Sequence, residues 1–120
     1  VGRQYIDEKL NKRLVARRKL QETQDRFLEN VKERGVSEKG FISILKKGDQ
    51  TLFGEQEIHK KYGISDEDNP DDYMNTVLLK GKDFATSLSD MNVSKKDLKG
   101  EDEITGQHRS SNKDIRDIFE

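Results

Sequence analysis

The 120-residue chain has no cysteine, no tryptophan, a single proline and no long apolar run. Without cysteine there is neither a disulfide framework nor a thiolate metal site. No stretch approaches the roughly 18 consecutive apolar residues that a membrane-crossing helix needs. The charged opening, starting at Val1, does not resemble a signal peptide. These absences set the expectation of a soluble, cytoplasmic protein. A start at Val rather than Met adds the expectation of a fragment or a processed chain. Apolar residues are also scarce, at 30% of the chain against 39% charged. An ordinary globular domain is roughly 45–50% apolar. One thin core is within reach, to be completed by extended helices, an oligomer or a missing partner segment.

The charge is nearly balanced, with a formal net value of −1, which argues against uniform electrostatic binding of nucleic acid. Its distribution is uneven. Residues 1–20 hold seven Lys or Arg against two acids, while residues 55–72 hold seven acids against two Lys. Such asymmetry suits a local basic patch or a head-to-tail self-contact.

The strongest periodic signal is Thr76 to Asn92. Val77, Gly81, Phe84, Leu88 and Met91 recur at spacings of four and three, the stripe of a helix with one buried side. Leu78 and Ala85 widen it. This helix is expected to be the central packing element, with Gly81 allowing another backbone to approach. Residues 3–34 read as one long charged helix ending at Gly35, where a left-handed cap would return Val36 to the last turn. Its N-terminal half is polar nearly all round, as in a projecting or coiled-coil-like arm. Ile6, Leu10 and Leu14 are its candidate self-association residues.

Residues 40–54, GFISILKKGDQTLFG, predict a β-hairpin over 41–53 with a turn at Gly48-Asp49. Phe41, Ile44 or Phe53 should pack it on a helix. It reads as a structural flap, with Lys46 and Lys47 at the tip as the alternative, a contact for phosphate or an acidic surface. A short helix over 55–62 should end at Gly63, with Ile58 and Ile64 closing the cap. The acidic loop SDEDNPDD lacks the central Gly and the twelfth-position Glu of a calcium loop. A one-turn helix starting at Asn69-Pro70 is expected instead. Ser94 and Asp97 could form a capping pair. Residues 99–112 are polar and turn-rich, and a last helix is expected from about Asn112, still amphipathic where the sequence stops.

Catalytic patterns are absent. His59 and His108 stand in polar segments with no second ligand at metal spacing, and both read as surface histidines. No nucleophile elbow, zinc-protease motif or phosphate loop occurs. The chain is therefore read as not an enzyme, with no cofactor. The sharpest electrostatic feature is KLNKRLVARRK, which gathers Lys9, Lys12, Arg13, Arg17, Arg18 and Lys19 on one helix. It offers either a contact for phosphates or an acidic partner, or a solvated helix face.

Taken together, ERGVSEKGF, KKGDQTLFG, KGKDFATSLSDMNV and KDLKGEDEIT followed by His108 and Asn112 resemble the C-terminal part of the DNA-damage-inducible protein D family. The resemblance covers the chain from about Glu22 onward, and KDFAT followed by MNV is its most specific piece. The family is similar to phage antirepressors with a BRO-type N-terminal domain followed by a charged helix. That N-terminal domain is not in this sequence, and the family pattern would continue past its end. The resemblance implies a regulatory protein of the SOS response acting through macromolecular contacts. The implied partner is the RecA recombinase on single-stranded DNA, or a phage-type repressor for antirepressor-like relatives.

The expected fold is thus mostly α with one β-hairpin (α+β). A long helix over 1–34 serves as oligomerisation or partner arm, and residues 35–120 form a small helical domain. The expected function is non-enzymatic binding of a protein partner, with sites at the basic residues named above and a homo-oligomer as the assembly; the alternative is a nucleic-acid-binding module on the basic helix face.

Overall fold

The structure, a computed structural model, describes residues 2–54 and 58–119, with side chains from Asp7 onward. Five α-helices and one 3₁₀ turn account for it, and no strand occurs among the described residues. Helix α1 spans Gly2–Glu33. It ends as its sequence indicates: Gly35 takes φ +89°, and the Val36 N–H returns to the Val31 carbonyl at 3.0 Å.

Residues 38–52 are helix, not hairpin. Helix α2 spans Glu38–Leu52, and the Ser37 hydroxyl caps it by accepting the Gly40 N–H at 3.0 Å. Strand alternation would scatter Phe41, Ile44, Gly48 and Leu52 over two faces, whereas the helical period gathers all four on one buried face. The Gly48-Asp49 pair, expected to turn, lies inside the helix because both residues have partners across the core. Phe41, Ile44 and Phe53 are buried, as expected of them in either form.

Helix α3, Ile58–Tyr62, closes on Gly63 at φ +65°, with the Ile64 N–H bonded to His59 O at 3.0 Å. The acidic loop ends in a 3₁₀ turn, Pro70–Asp72, capped by the Asn69 side chain on the Asp71 N–H at 3.0 Å. Helix α4, Thr76–Lys95, starts at the Asn75 cap and runs three residues beyond the expected end, so Ser94 lies within it. Helix α5, Glu101–Phe119, begins some ten residues earlier than expected. Its first turn is Glu101, Asp102 and Glu103, favoured by the helix dipole. The Glu103 carboxylate accepts the Lys99 N–H at 2.7 Å.

The four long helices form a bundle. Thr23 meets Asp83 and Asn30 meets Asp90, so α1 and α4 run parallel. Ser89 meets His108, and Gly81 lies beneath Ile115 and Phe119, so α4 and α5 are antiparallel. Gly40 faces Glu101 and Gly54 faces Arg116, so α2 and α5 are parallel. The connection from α2 to α4, carrying α3 and the 3₁₀ turn, crosses one end of the bundle.

The apolar core is split in two. One cluster gathers Leu20, Leu52, Phe53, Met74, Leu79 and Ile115, and the other Phe27, Val31, Phe41, Ile44, Val93 and Ile104. Between them, in chain position on every long helix, come buried polar residues: Gln24, Asp49, Lys82, Thr86, Ser89, His108 and Asn112. The molecule measures 51 × 28 × 26 Å, and 32 residues of α1 at 1.5 Å each nearly fill the long dimension. Residues 7–12 of α1 are all exposed. No helix among the described residues is long and apolar enough to cross a membrane.

Candidate interaction site

Helix α4 is rotated from the orientation its hydrophobic pattern indicates: of the expected stripe Gly81 and Ala85 are buried and Leu78 and Leu88 half-buried. It buries Leu79, Gly81, Lys82, Ala85, Thr86, Ser89 and Val93. Val77, Phe84 and Met91 of the expected core stripe are instead 63%, 62% and 56% exposed. These three are seven residues apart, so they form one ridge along the outer side of the helix. Gly81 is buried as expected, but side chains approach it: the Phe119 ring and Ile115 occupy the space a Cβ would take. Residues 77 and 84 flank position 81 by one turn each, which sets the half-exposed Phe119 ring beside the ridge.

The inward face is polar because its partners make it so. Lys82, 2% exposed, sends its ammonium 2.8 Å from Asp49 Oδ1 and 2.5 Å from Asp71 Oδ1. Gln24 Nε2 donates to the other Asp71 oxygen at 3.2 Å. Burial pulls the Lys82 pKa down, but the two carboxylates outweigh it and the net shift is upward. Burial raises the Asp49 carboxyl to about 6, against the opposing pull of Lys82. Tyr62 is raised as well, by burial and then by Asp49. One ammonium and two carboxylates thus share a buried site, and the proton that Asp49 takes up near pH 6 relieves the excess negative charge.

His108, expected at the surface, is 1% exposed. Its Nδ1 lies 2.7 Å from the Ser89 hydroxyl, its ring stacks at a tilt on Phe27, and Gly48 of α2 leaves room for its edge. Burial, and then the Lys82 charge, push its pKa down to about 3. His59 remains at the surface, with Nε2 2.9 Å from the Asp68 carbonyl.

A cleft of about 480 Å³ opens along the outer side of α2, beneath α3 and the acidic loop. Ile42, Leu45, Ile58 and Pro70 form apolar walls, Lys46, Asp66 and Asp68 carry the charge around it, and His59 and buried Asp49 also reach its lining. Among the described residues no group of three or more His, Asp or Glu is placed to hold a metal ion.

Residues 6–120 match the family model of the DinD C-terminal domain. The chain belongs to that family. This agrees with the resemblance carried by KDFAT and MNV, and it places the domain in a DNA-damage-inducible protein. No curated protein matches the chain.

The basic residues singled out in the sequence do not form one surface. Arg13 is turned inward: its Nε donates to Met74 O at 2.9 Å and its Nη2 to the carbonyls of Asp71 and Asp72, so it ties α1 to the end of the 3₁₀ turn. Arg17 is ion-paired with Asp72 at 3.0 Å. Lys9, Lys12 and Arg18 are exposed on α1, while exposed Lys46 and half-buried Lys47 lie on α2. Of the self-association residues, Leu10 and Leu14 are 53% and 54% exposed, and Ile6 lies in α1 before the described side chains begin. The polar layer went unrecognised in the sequence. The available signal was the four-residue spacing of His108 and Asn112 with Thr105 and Ser111 beside them, a helical stripe written entirely in polar residues.

Proposed function

We propose that this domain is a non-enzymatic regulatory module of the DNA-damage response, and that a protein partner docks on the outward ridge of α4. The observation that carries this reading is the exposure of Val77, Phe84 and Met91 on a helix whose buried face holds a lysine, a threonine and a serine. A contiguous apolar ridge left in water marks a contact surface, because exposed aromatic and sulfur-bearing side chains supply much of the affinity of protein interfaces. The family points to a recombinase filament on single-stranded DNA as the partner. The inward use of Arg13 and Arg17 weighs against the nucleic-acid alternative.

Co-sedimentation of the domain with recombinase filaments formed on single-stranded DNA tests the proposal. Binding is expected, with at least a tenfold loss for Phe84→Asp and little dependence on salt. Equal binding by Phe84→Asp would remove the ridge from the interaction. Binding to naked DNA that falls steeply with salt would transfer the function to nucleic acid, and no binding to the filament would turn the search to repressor-type partners.

A further inference from the structure

We propose that the chain assembles head to tail, with the exposed stripe Leu10–Leu14–Arg18 of one copy seated in the acidic-rimmed cleft beside α2 of the next. The stripe has the right composition. The three residues are four apart and share one side of α1, spanning about 12 Å at 1.5 Å per residue. Both leucines are more than half exposed, Arg18 is exposed, and residues 7–12 have no buried member. Leu14 and Arg18 are reachable by their own exposure, and Leu10 lies beyond the start of α4, which begins level with Arg13, whose guanidinium holds the Met74 carbonyl at 2.9 Å. The α1 segment before that point runs past the start of its neighbour.

The cleft supplies the complement. Ile42, itself 65% exposed, and Ile58 provide apolar wall for the leucines, and exposed Asp66 and Asp68 stand at the rim for the arginine. Arg17 pairs with Asp72 and Lys82 with Asp71 within the chain; beyond those pairs, exposed Lys9, Lys12, Arg18 and Lys19 on α1 stand against exposed Asp66, Glu67 and Asp68 in the acidic loop. A second copy is the occupant because one chain carries both the apolar spacing and the opposite charge. Stripe and cleft are different surfaces, so the contact is heterologous. Each added copy keeps one free arm and one free cleft, and assembly proceeds to a ring or an open chain. Charge attraction across an exposed rim is screened by salt, so assembly weakens as salt rises.

Complementation by analytical ultracentrifugation tests this directly. An arm variant, Leu10→Gln/Leu14→Gln/Arg18→Gln, retains good helix formers, and a cleft variant, Ile42→Lys/Asp66→Lys, alters only exposed side chains. Circular dichroism checks that both fold. The wild-type chain is expected to form species larger than dimer at several hundred micromolar and low salt. Each variant alone should be monomeric, and their 1:1 mixture should stop at a dimer, since only one intact arm and one intact cleft remain. A monomeric wild type, a variant that assembles as the wild type does, or a mixture that stays monomeric would each overturn the proposal. The absence of native cysteine allows a second readout. Oxidation of mixed Leu14→Cys and Ile42→Cys chains should give the crossed disulfide dimer. A Leu14→Cys chain that links only to itself would replace the head-to-tail contact with an arm-to-arm one.

Discussion

Gly48 on α2 and His108 on α5 are in direct contact: a Cβ added at 48 would fall 2.4 Å from His108 Cδ2 and 2.8 Å from Asn112 Nδ2. The glycine is what allows α2 to lie against the polar layer. Gly48→Ala must displace the imidazole or separate the helices, and a loss of about 1–3 kcal/mol is expected from such overpacking. Gly106, on the exposed side of α5, has nothing within 4 Å of its added Cβ. Gly106→Ala should stabilise by about 0.4–1 kcal/mol. Urea midpoints moving in opposite directions at unchanged slope would establish the contrast.

Lys82 is the shared counter-ion of two buried carboxylates, and removing it leaves both without their cation. Lys82→Met is expected to cost roughly 3–5 kcal/mol at pH 7.5. The loss should shrink at pH 5, below the raised Asp49 pKa of about 6, where Asp49 escapes the penalty by taking up a proton. Urea unfolding at the two pH values measures this, and an equal loss at both would contradict the assignment.

His108 and Asp49 act in opposite senses on stability against pH. The folded His108 pKa, about 3, lies below the ordinary 6.5. Its neutral burial therefore contributes fully above pH 6.5 and is lost as pH falls from 6.5 toward 3. The full span is worth on the order of 5 kcal/mol. Asp49 is raised from 3.8 to about 6, so its contribution is present below 3.8 and is lost as pH rises toward 6. His108→Gln should flatten the acid side of the stability profile, whereas Asp49→Asn should remove the opposing slope between pH 4 and 6. Urea midpoints across pH 3–8 would show both.

Phe84 is solvent-facing, so its replacement should leave folding intact. Phe84→Ser is expected to change stability by no more than about 0.5 kcal/mol. A leucine or phenylalanine truncated in the core would lose several kcal/mol instead. Thermal unfolding of Phe84→Ser beside Phe27→Ala gives the comparison, and a large loss at position 84 would mean that the ridge is covered by the chain itself.

Elements whose ends are written locally were legible in the sequence. The cap at Gly35, the closure of α3 on Gly63 and the one-turn helix after Asn69 each follow from a glycine, an asparagine or a proline acting on its own neighbours. The helical state of 76–92 was legible as well, but its orientation was not. Hydropathy alone assigns Val77, Phe84 and Met91 to the core, because it takes no account of partners for Lys82. Those partners stand 33 and 11 residues away in sequence, at Asp49 and Asp71.

The sequence by itself determined helix over 3–33 of the expected 3–34, over 58–62 of the expected 55–62 (residues 55–57 lie outside the described ones) and over 76–92, where the ends are made of short-range hydrogen bonds and backbone dihedrals. Tertiary structure decided which side of α4 faces inward, whether 38–52 coils or extends, and that residues 101–112 are helix. In each case a polar side chain enters the interior only where another helix supplies its hydrogen bond or counter-charge, and that match exists only once the four helices are side by side.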